Sequence, residues 1–150
     1  MSEITERQIE LVQTTFAQVE PIADAAAKMF YDRLFVLDSN LRALFKGDMR
    51  EQGRKLMAIL KVAVNGLRNL DKLVPAVEAL GQRDATYGVK DADYAVVASA
   101  LLSTLKEGLG DGFTSEVEAA WTAVYHTLAN VMLKAAHRAP DLATLNASPA

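Results

Sequence analysis

Leu80-Gly81-Gln82-Arg83-Asp84-Ala85-Thr86-Tyr87-Gly88-Val89 ends an apolar helical segment with an acidic residue on its hydrophobic side. Val77 and Leu80 precede Asp84 by seven and four residues, and these spacings place side chains on one face of a helix. Asp84 is therefore predicted to face inward. Because an inward carboxylate is costly unless it is paired or solvated, Asp84 either serves a ligand, pairs with a cation such as Arg83, or lies where water reaches the helix end.

Helical periodicity continues along the rest of the chain, and no turn motif typical of β-hairpins is present. The sequence therefore predicts an all-α domain with six longer helices and one short helix. These run from a Thr5–Gln8 capping box to about Val19, from Pro21 to about Val36, from Asp38 to Phe45, from an Asp48 cap to about Leu67, from an Asp71 cap to Gly88, from Asp91 to about Leu109, and from a Ser115–Glu118 capping box to about His137.

Length and composition restrict the class of protein. At 150 residues the chain is expected to be one domain over 1–138, and the non-periodic segment 139–150 is expected to be a disordered tail. The absence of cysteine excludes thiolate metal sites, and two histidines leave little for a histidine-built metal cluster. A net charge of -3 without a basic patch argues against nucleic acid as a partner. Without a signal sequence or a long apolar run, a cytoplasmic protein with no membrane contact is expected.

Two further polar side chains share a helical face with apolar residues. Tyr31 lies on the same face as Ala27 and Leu34, and Gln52 lies four residues before Leu56. Tyr31 is either a core tyrosine whose hydroxyl meets a carbonyl or a group that serves a ligand. Gln52 is either a solvated first-turn residue or a side chain turned toward whatever Leu56 contacts.

The other polar and aromatic candidates have simpler explanations. Lys55 is either a solvated surface lysine or a cation whose stem rests on apolar surface and whose head meets an acidic group. Phe45, taken alone, is expected in the core. His126 and His137 are not convincing ligands, and no paired carboxylates, phosphate loop or serine triad are present.

In combination, five segments resemble the bacterial single-domain globins, closest to the neuroglobin-like, haemoglobin-type members. They are Met29-Phe30-Tyr31-Asp32-Arg33-Leu34-Phe35, Leu44-Phe45, Gln52-Gly53-Arg54-Lys55-Leu56-Met57, Leu80 to Val89, and Ala120-Trp121-Thr122-Ala123-Val124-Tyr125. The resemblance extends from about Ser2 to His137. It implies a globin fold, a three-over-three helical sandwich, with haem b held between the helix of Gln52 and the helix of Asp84.

The resemblance also implies roles for individual residues. Phe45 and Leu56 would pack against the haem ring, and Tyr31 and Gln52 would donate hydrogen bonds to a bound diatomic ligand such as dioxygen, carbon monoxide or nitric oxide. Lys55 would lie on the propionate side. Tyr87 would border the same site, and it is disfavoured as an iron ligand because the family carries a tyrosine there without using it. Whether the protein is a monomer or a dimer stays open.

The chain departs from the globin pattern at Asp84, where the family has the histidine that binds the iron. The exchange suggests either deliberate engineering of the axial ligand or a natural relative with altered haem chemistry. Asp84 would bind iron directly, through water, or not at all, and an anionic oxygen ligand should favour the ferric state. Two alternatives to a ligand-binding globin remain: a haem enzyme acting on a small organic substrate by carbene or nitrene transfer, or on peroxide, and a haem-free sensing or interaction module.

Overall fold

The computed structural model describes residues 4–86 and 88–137, and these residues form helices joined by short turns. The α-helices are α1 (Glu6–Val19), α2 (Ala23–Leu37), α3 (Met49–Asn65), α4 (Leu70–Thr86), α5 (Asp93–Leu109) and α6 (Ser115–Ala136). Short 3-10 segments occupy Glu20–Ile22, Ser39–Leu44, Leu67–Asn69 and Gly110–Gly112. The prediction of an all-α chain with six longer helices and one short helix is confirmed. Tyr87 and the tail 139–150 lie outside the described residues.

Three of the predicted helix starts are present with the expected hydrogen bonds. The Gln8 amide donates to Thr5 Oγ1 at 3.1 Å, and the Thr5 amide donates to Gln8 Oε1 at 3.0 Å, which completes the capping box of α1. The Asp48 carboxylate caps α3 by accepting from the Arg50 amide at 2.9 Å. The Asp38 carboxylate opens the Ser39–Leu44 turn in the same way. These side chains satisfy amides that the first helical turn leaves without a partner.

The start of α6 differs from the prediction by one residue. Thr114, not Ser115, is the cap, because Thr114 has an extended backbone and its hydroxyl accepts from the Val117 amide at 3.1 Å. The predicted pairing of Ser115 with Glu118 as a capping box was therefore wrong. The sequence offered two adjacent hydroxyl residues, and the preceding 3-10 turn decides which of them is extended.

Two acidic residues that were predicted to cap helices, Asp71 and Asp91, do not occupy the cap position. Asp71 lies inside the first turn of α4, because the 3-10 segment that precedes Leu70 leads directly into the helix. Asp91 precedes α5 by two residues, and the helix starts at Asp93. The buried Asp93 carboxylate accepts from the Lys90 amide at 2.8 Å, so it fixes the turn before α5.

The helices pack most closely where glycine lies at a crossing. α4 runs along α6, and a Cβ on Gly81 would lie 2.5 Å from the Met132 carbonyl oxygen. α2 crosses α3, and a Cβ on Gly53 would lie 3.0 Å from Ala27 Cβ. α2 also packs on α5, and α1 packs on α6, where the buried Trp121 indole donates to Thr15 Oγ1 at 2.9 Å. These contacts hold one apolar core.

α3 and α4 are the exception to this close packing. They are neighbours in the chain and meet near their junction, where a Cβ on Gly66 would lie 3.3 Å from a Leu73 methyl group, but they share little contact elsewhere. Gln52 lies near the start of α3 and Asp84 near the end of α4, so both are far from the junction. The two helices therefore form a wedge with these two residues toward its open end. Among the described residues, no helix combines the length and apolarity that crossing a bilayer requires.

Candidate functional site

Asp84 lies partly buried in the last turn of α4, as predicted from its place on the apolar face. Burial raises the pKa of its carboxyl from 3.8 to about 6, and the neighbouring Arg83 guanidinium only partly opposes that rise. The fold therefore holds an acidic group whose ionisation is unfavourable without a further partner. Such groups are concentrated at functional sites.

Tyr31 is buried in the middle of an aromatic cluster. Its ring contacts Phe30, Phe35 and Phe45 at centroid distances of 5.1, 5.9 and 5.2 Å. Burial raises the pKa of the phenol to about 12, a hydrogen bond with the Gln52 side chain lowers it, and the negative charge of Asp84 raises it. The Tyr31 hydroxyl therefore stays protonated and can act as a donor at neutral pH.

These interactions bring together three residues that the sequence singled out on three separate helices. The Tyr31 phenol is hydrogen-bonded with Gln52 and lies close enough to Asp84 for the charge of that carboxylate to raise the pKa of the phenol. The wedge is therefore flanked by a hydroxyl and an amide from α2 and α3 and by a carboxyl from α4. This set combines neutral donors with one acidic oxygen group.

The walls near these polar groups are apolar and only partly covered. Phe45 and Leu56 are both half-buried against the core. Five other side chains near these elements share this state: Leu44, Met57, Leu60, Val96 and Val97. Seven partly exposed apolar side chains near one site indicate a surface that can bind an apolar ligand.

The remaining candidate residues are exposed at the protein surface or are not among the residues that the structure describes. Lys55 is exposed on α3, which suits a solvated lysine or one that meets an acidic group at the protein surface. Tyr87 is not among the described residues. His126 is exposed, and the His137 ring pairs with the Asp91 carboxylate at 2.8 Å. Within the part of the chain that the structure describes, no group of three or more histidine, cysteine, aspartate or glutamate side chains could hold a metal ion.

Tyr94 is a site residue that the sequence reasoning missed. Burial raises the pKa of the Tyr94 phenol to about 12, and the Asp84 carboxylate is the next largest cause. The Tyr125 hydroxyl donates to the Tyr94 carbonyl at 2.7 Å, which ties the start of α5 to α6. Tyr94 precedes Val97 and Leu101 by three and seven residues. The criterion that identified Tyr31, a polar side chain that shares a helical face with apolar residues (the face rule), could therefore have found it.

The chain belongs to the globin family, whose sequence profile matches residues 28–132. It is similar to the flavohemoprotein of Vibrio cholerae, with 29% identity over 133 residues that cover 87% of this chain and 34% of that protein. It is also similar to the flavohemoprotein of Bacillus subtilis, with 25% identity over 130 residues that cover 85% of this chain and 33% of that protein. The chain thus spans about one third of the length of these relatives.

Solved structures show the same fold. A hexacoordinated heme protein from an anhydrobiotic tardigrade superimposes with a TM-score of 0.81 at 16% identity, covering 89% of this chain and 96% of that one. An engineered carbene transferase, a putative nitric oxide dioxygenase from Rhodothermus marinus, gives a TM-score of 0.80 at 24% identity, covering 89% and 94%. The expected globin fold is confirmed.

Membership of the globin family implies haem, since globins pack their helices around a haem pocket and hold its iron through an axial protein ligand. The described residues fit this group. The partly covered apolar side chains suit a flat apolar ring, the Tyr31 and Gln52 side chains suit a ligand on one face, and Asp84 offers an oxygen donor. Burial disfavours the ionised form of the Asp84 carboxyl. A cation beside it would favour that form, because its charge would compensate the negative charge.

Proposed function

We propose that this chain is a haem-binding globin that takes a small ligand such as dioxygen, carbon monoxide or nitric oxide beside Tyr31 and Gln52, with Asp84 in the proximal position. The observation that supports the proposal is that the Tyr31 phenol on α2 is hydrogen-bonded with Gln52 on α3 and has its pKa raised by the charge of Asp84 on α4. Haem b is the form expected, because a chain without cysteine cannot form the thioether bonds of a covalently attached haem.

The Tyr31 and Gln52 pair would control the stability of the bound ligand. A phenol with a pKa of about 12 donates a hydrogen bond throughout the neutral range. The Gln52 amide holds the hydroxyl in place and offers donors of its own. Hydrogen bonds to a ligand that carries partial negative charge slow its release, and each bond to such a group is worth about 1.5–3 kcal/mol. Phe45 and Leu56 would contact the ring, with Lys55 at the propionate edge and Tyr87 bordering the proximal side.

Asp84 would change what the iron does. Bound haem supplies an iron that can take one ligand from the protein and one from solution. A carboxylate is shorter than a histidine side chain, and its charge favours the ferric state and a lower reduction potential. We infer that the exchange of histidine for aspartate in a segment that otherwise keeps the neuroglobin-like, haemoglobin-type pattern is a deliberate replacement of the axial ligand, because the distal pair is retained.

The carboxyl at position 84 favours a second candidate function, a haem enzyme, because an anionic oxygen ligand that favours the ferric state does not suit reversible dioxygen carriage. Burial raises the pKa of this carboxyl to about 6, so it is mostly ionised at neutral pH and becomes neutral, and a weaker ligand, as the pH falls through that value. Bound haem would supply an iron for chemistry on peroxide or on a carbene or nitrene donor, and the Tyr31 and Gln52 side chains would contact the reactant. The Tyr31 and Gln52 pair supports a globin that carries a small ligand, whereas the Asp84 carboxyl supports a haem enzyme.

Absorption spectroscopy tests the proposal. The protein supplied with haem should give a Soret band in the ferric state and a shifted band when it is reduced under carbon monoxide. The variant Asp84→His should change both spectra to those of an imidazole-ligated globin, and Asp84→Ala should remove any signature of an anionic oxygen ligand. Asp111→His, which adds an imidazole at an exposed position in the turn between α5 and α6, is the matched control and should leave the spectra unchanged.

The outcomes separate the candidates. Absence of a Soret band in all forms would refute both haem functions and leave a haem-free module. A spectrum that is the same in the parent and in Asp84→His would show that Asp84 is not beside the iron. Turnover of peroxide or of a carbene donor by the parent, lost in Asp84→His, would favour the enzyme over the ligand carrier.

A further inference from the structure

A cavity of about 630 Å³ opens on the surface between α2, the Ser39–Leu44 turn and α3. It shares Tyr31 with the candidate haem site, but neither Gln52 nor Asp84 lines it. A volume of this size is in the range of small-molecule sites. We propose that this groove, called here the arginine groove, binds a planar aromatic carboxylate.

The charge of the arginine groove carries the first part of the inference. Three guanidinium groups line it, those of Arg42, Arg50 and Arg54. The Lys28 ammonium in the same lining is neutralised by the Asp32 carboxylate at 2.9 Å.

The acidic groups of the lining do not balance these arginines. Apart from Asp32, the lining includes one carboxylate, Asp24, so positive charge is in excess. Among the salt bridges of the described residues, none involves Arg50 or Arg54. The groove therefore presents guanidinium donors for an anion.

The spacing of the arginines favours a carboxylate. Arg50 and Arg54 are four residues apart on α3, so their side chains leave the same face of the helix one turn from each other. A guanidinium group is planar and offers paired N–H donors that match the two oxygens of a carboxylate. Two such groups on one face can bind one anion from two sides.

The floor of the groove favours an aromatic body for the ligand. Tyr31 and Phe35 both line it, and their rings are stacked at a centroid distance of 5.9 Å. The Arg42 guanidinium lies 5.5 Å from the centre of the Phe35 ring and covers one face of it, so a ligand would meet this partly exposed ring beside the guanidinium. A flat apolar body would rest there with its carboxylate toward α3.

The Tyr31 ring connects the arginine groove with the candidate haem site. Tyr31 is buried, so a ligand in the groove would contact Phe35, which stacks on Tyr31, and would restrict through that ring the phenol that is hydrogen-bonded with Gln52. Occupancy of the groove should therefore alter carbon monoxide affinity. This consequence rests on the proposed function, whereas binding in the groove itself does not.

Calorimetric titration of the carbon monoxide complex with 2-naphthoate tests the proposal, since carbon monoxide blocks direct binding of the carboxylate to iron. Neutral 2-naphthamide is the matched ligand control. The double variant Arg50→Gln/Arg54→Gln should weaken naphthoate binding about tenfold or more, because charge-assisted hydrogen bonds are lost. Lys72→Gln removes one exposed charge from α4 and should leave the affinity unchanged.

A second variant keeps the test independent of the arginines. Ala25 is exposed and lines the groove, so Ala25→Glu should repel naphthoate without a change in the helix content that circular dichroism measures. Equal affinity for naphthoate and naphthamide, or for the parent and the double variant, would overturn the proposal. If the protein takes up no haem, the same titrations are made on the purified chain. Binding that is sensitive to the variants then supports the groove although the haem proposal has failed.

Discussion

Asp84→Asn should stabilise the haem-free protein in neutral solution, because asparagine has nearly the same shape and cannot ionise. Burial raises the pKa of the Asp84 carboxyl from 3.8 to about 6. At about 1.36 kcal/mol for each pKa unit, ionisation of this group in the folded state costs about 3 kcal/mol. Charge removal should recover most of that free energy.

The sign of the pH dependence follows from which state binds the proton more tightly. The folded protein keeps the Asp84 proton up to about pH 6, whereas the unfolded chain releases it near 3.8. The contribution of this group to stability is therefore fully present below 3.8 and is lost as the pH rises through about 6. Compared with the parent, Asp84→Asn should be about equally stable at the acidic end and about 3 kcal/mol more stable above neutral pH.

Urea unfolding of the haem-free proteins, followed by circular dichroism across this pH range, measures the difference directly. All other groups titrate in both proteins, so the curve of variant minus parent isolates Asp84. Asp111→Asn is the control, since Asp111 is exposed in the turn between α5 and α6, and its difference curve should be flat. A curve for Asp84→Asn as flat as that of the control would refute the claim that the carboxyl is held in a desolvated site.

Three other substitutions test the core and the distal side. Gly81→Ala should lower the free energy of unfolding by about 2 kcal/mol or more, measured by urea unfolding, because its methyl group would collide with the Met132 backbone. Thr15→Val should cost about 1–3 kcal/mol in the same assay, since the buried Trp121 indole loses its acceptor. In the protein with haem bound, Tyr31→Phe should speed ligand release about tenfold or more in flash photolysis or stopped-flow measurements, because one hydrogen bond to the ligand is lost. An unchanged release rate would remove Tyr31 from the distal role.

Most of the fold could be predicted because it depends on local signals. The Thr5 capping box, the Asp48 cap and Gly88, whose φ of 100° suits glycine, all appear as expected. The errors occurred where two adjacent residues could serve as the cap or where a 3-10 turn continued into a helix. At the start of α6, backbone geometry that the sequence pattern does not contain decides in favour of Thr114.

The site was predictable residue by residue but not as an arrangement. The face rule identified Tyr31, Gln52 and Asp84, because each is a polar residue on an apolar stripe. It could not show that the Tyr31 phenol is in contact with Gln52 and within reach of the Asp84 charge, since that depends on how three helices cross. The arginine groove was missed for the same reason. Arg50 and Arg54 are adjacent on α3, but Phe35 and Arg42 reach the groove from other elements.

The position of Asp84 links the stability of this chain to the group it is proposed to hold. Without a cation nearby, ionisation of the carboxyl opposes folding, since burial is the main cause of its raised pKa. A ferric iron beside the same carboxyl would favour the ionised form, because the charge that burial penalises is then compensated. Ferric haem binding should therefore release a proton below about pH 6, and the stabilisation it gives should grow as the pH rises toward that value and level off above it. Between 3.8 and about 6, the loss of stability that Asp84 causes in the haem-free form should therefore be smaller in the haem-bound form, an effect that a carboxyl away from the iron would not produce.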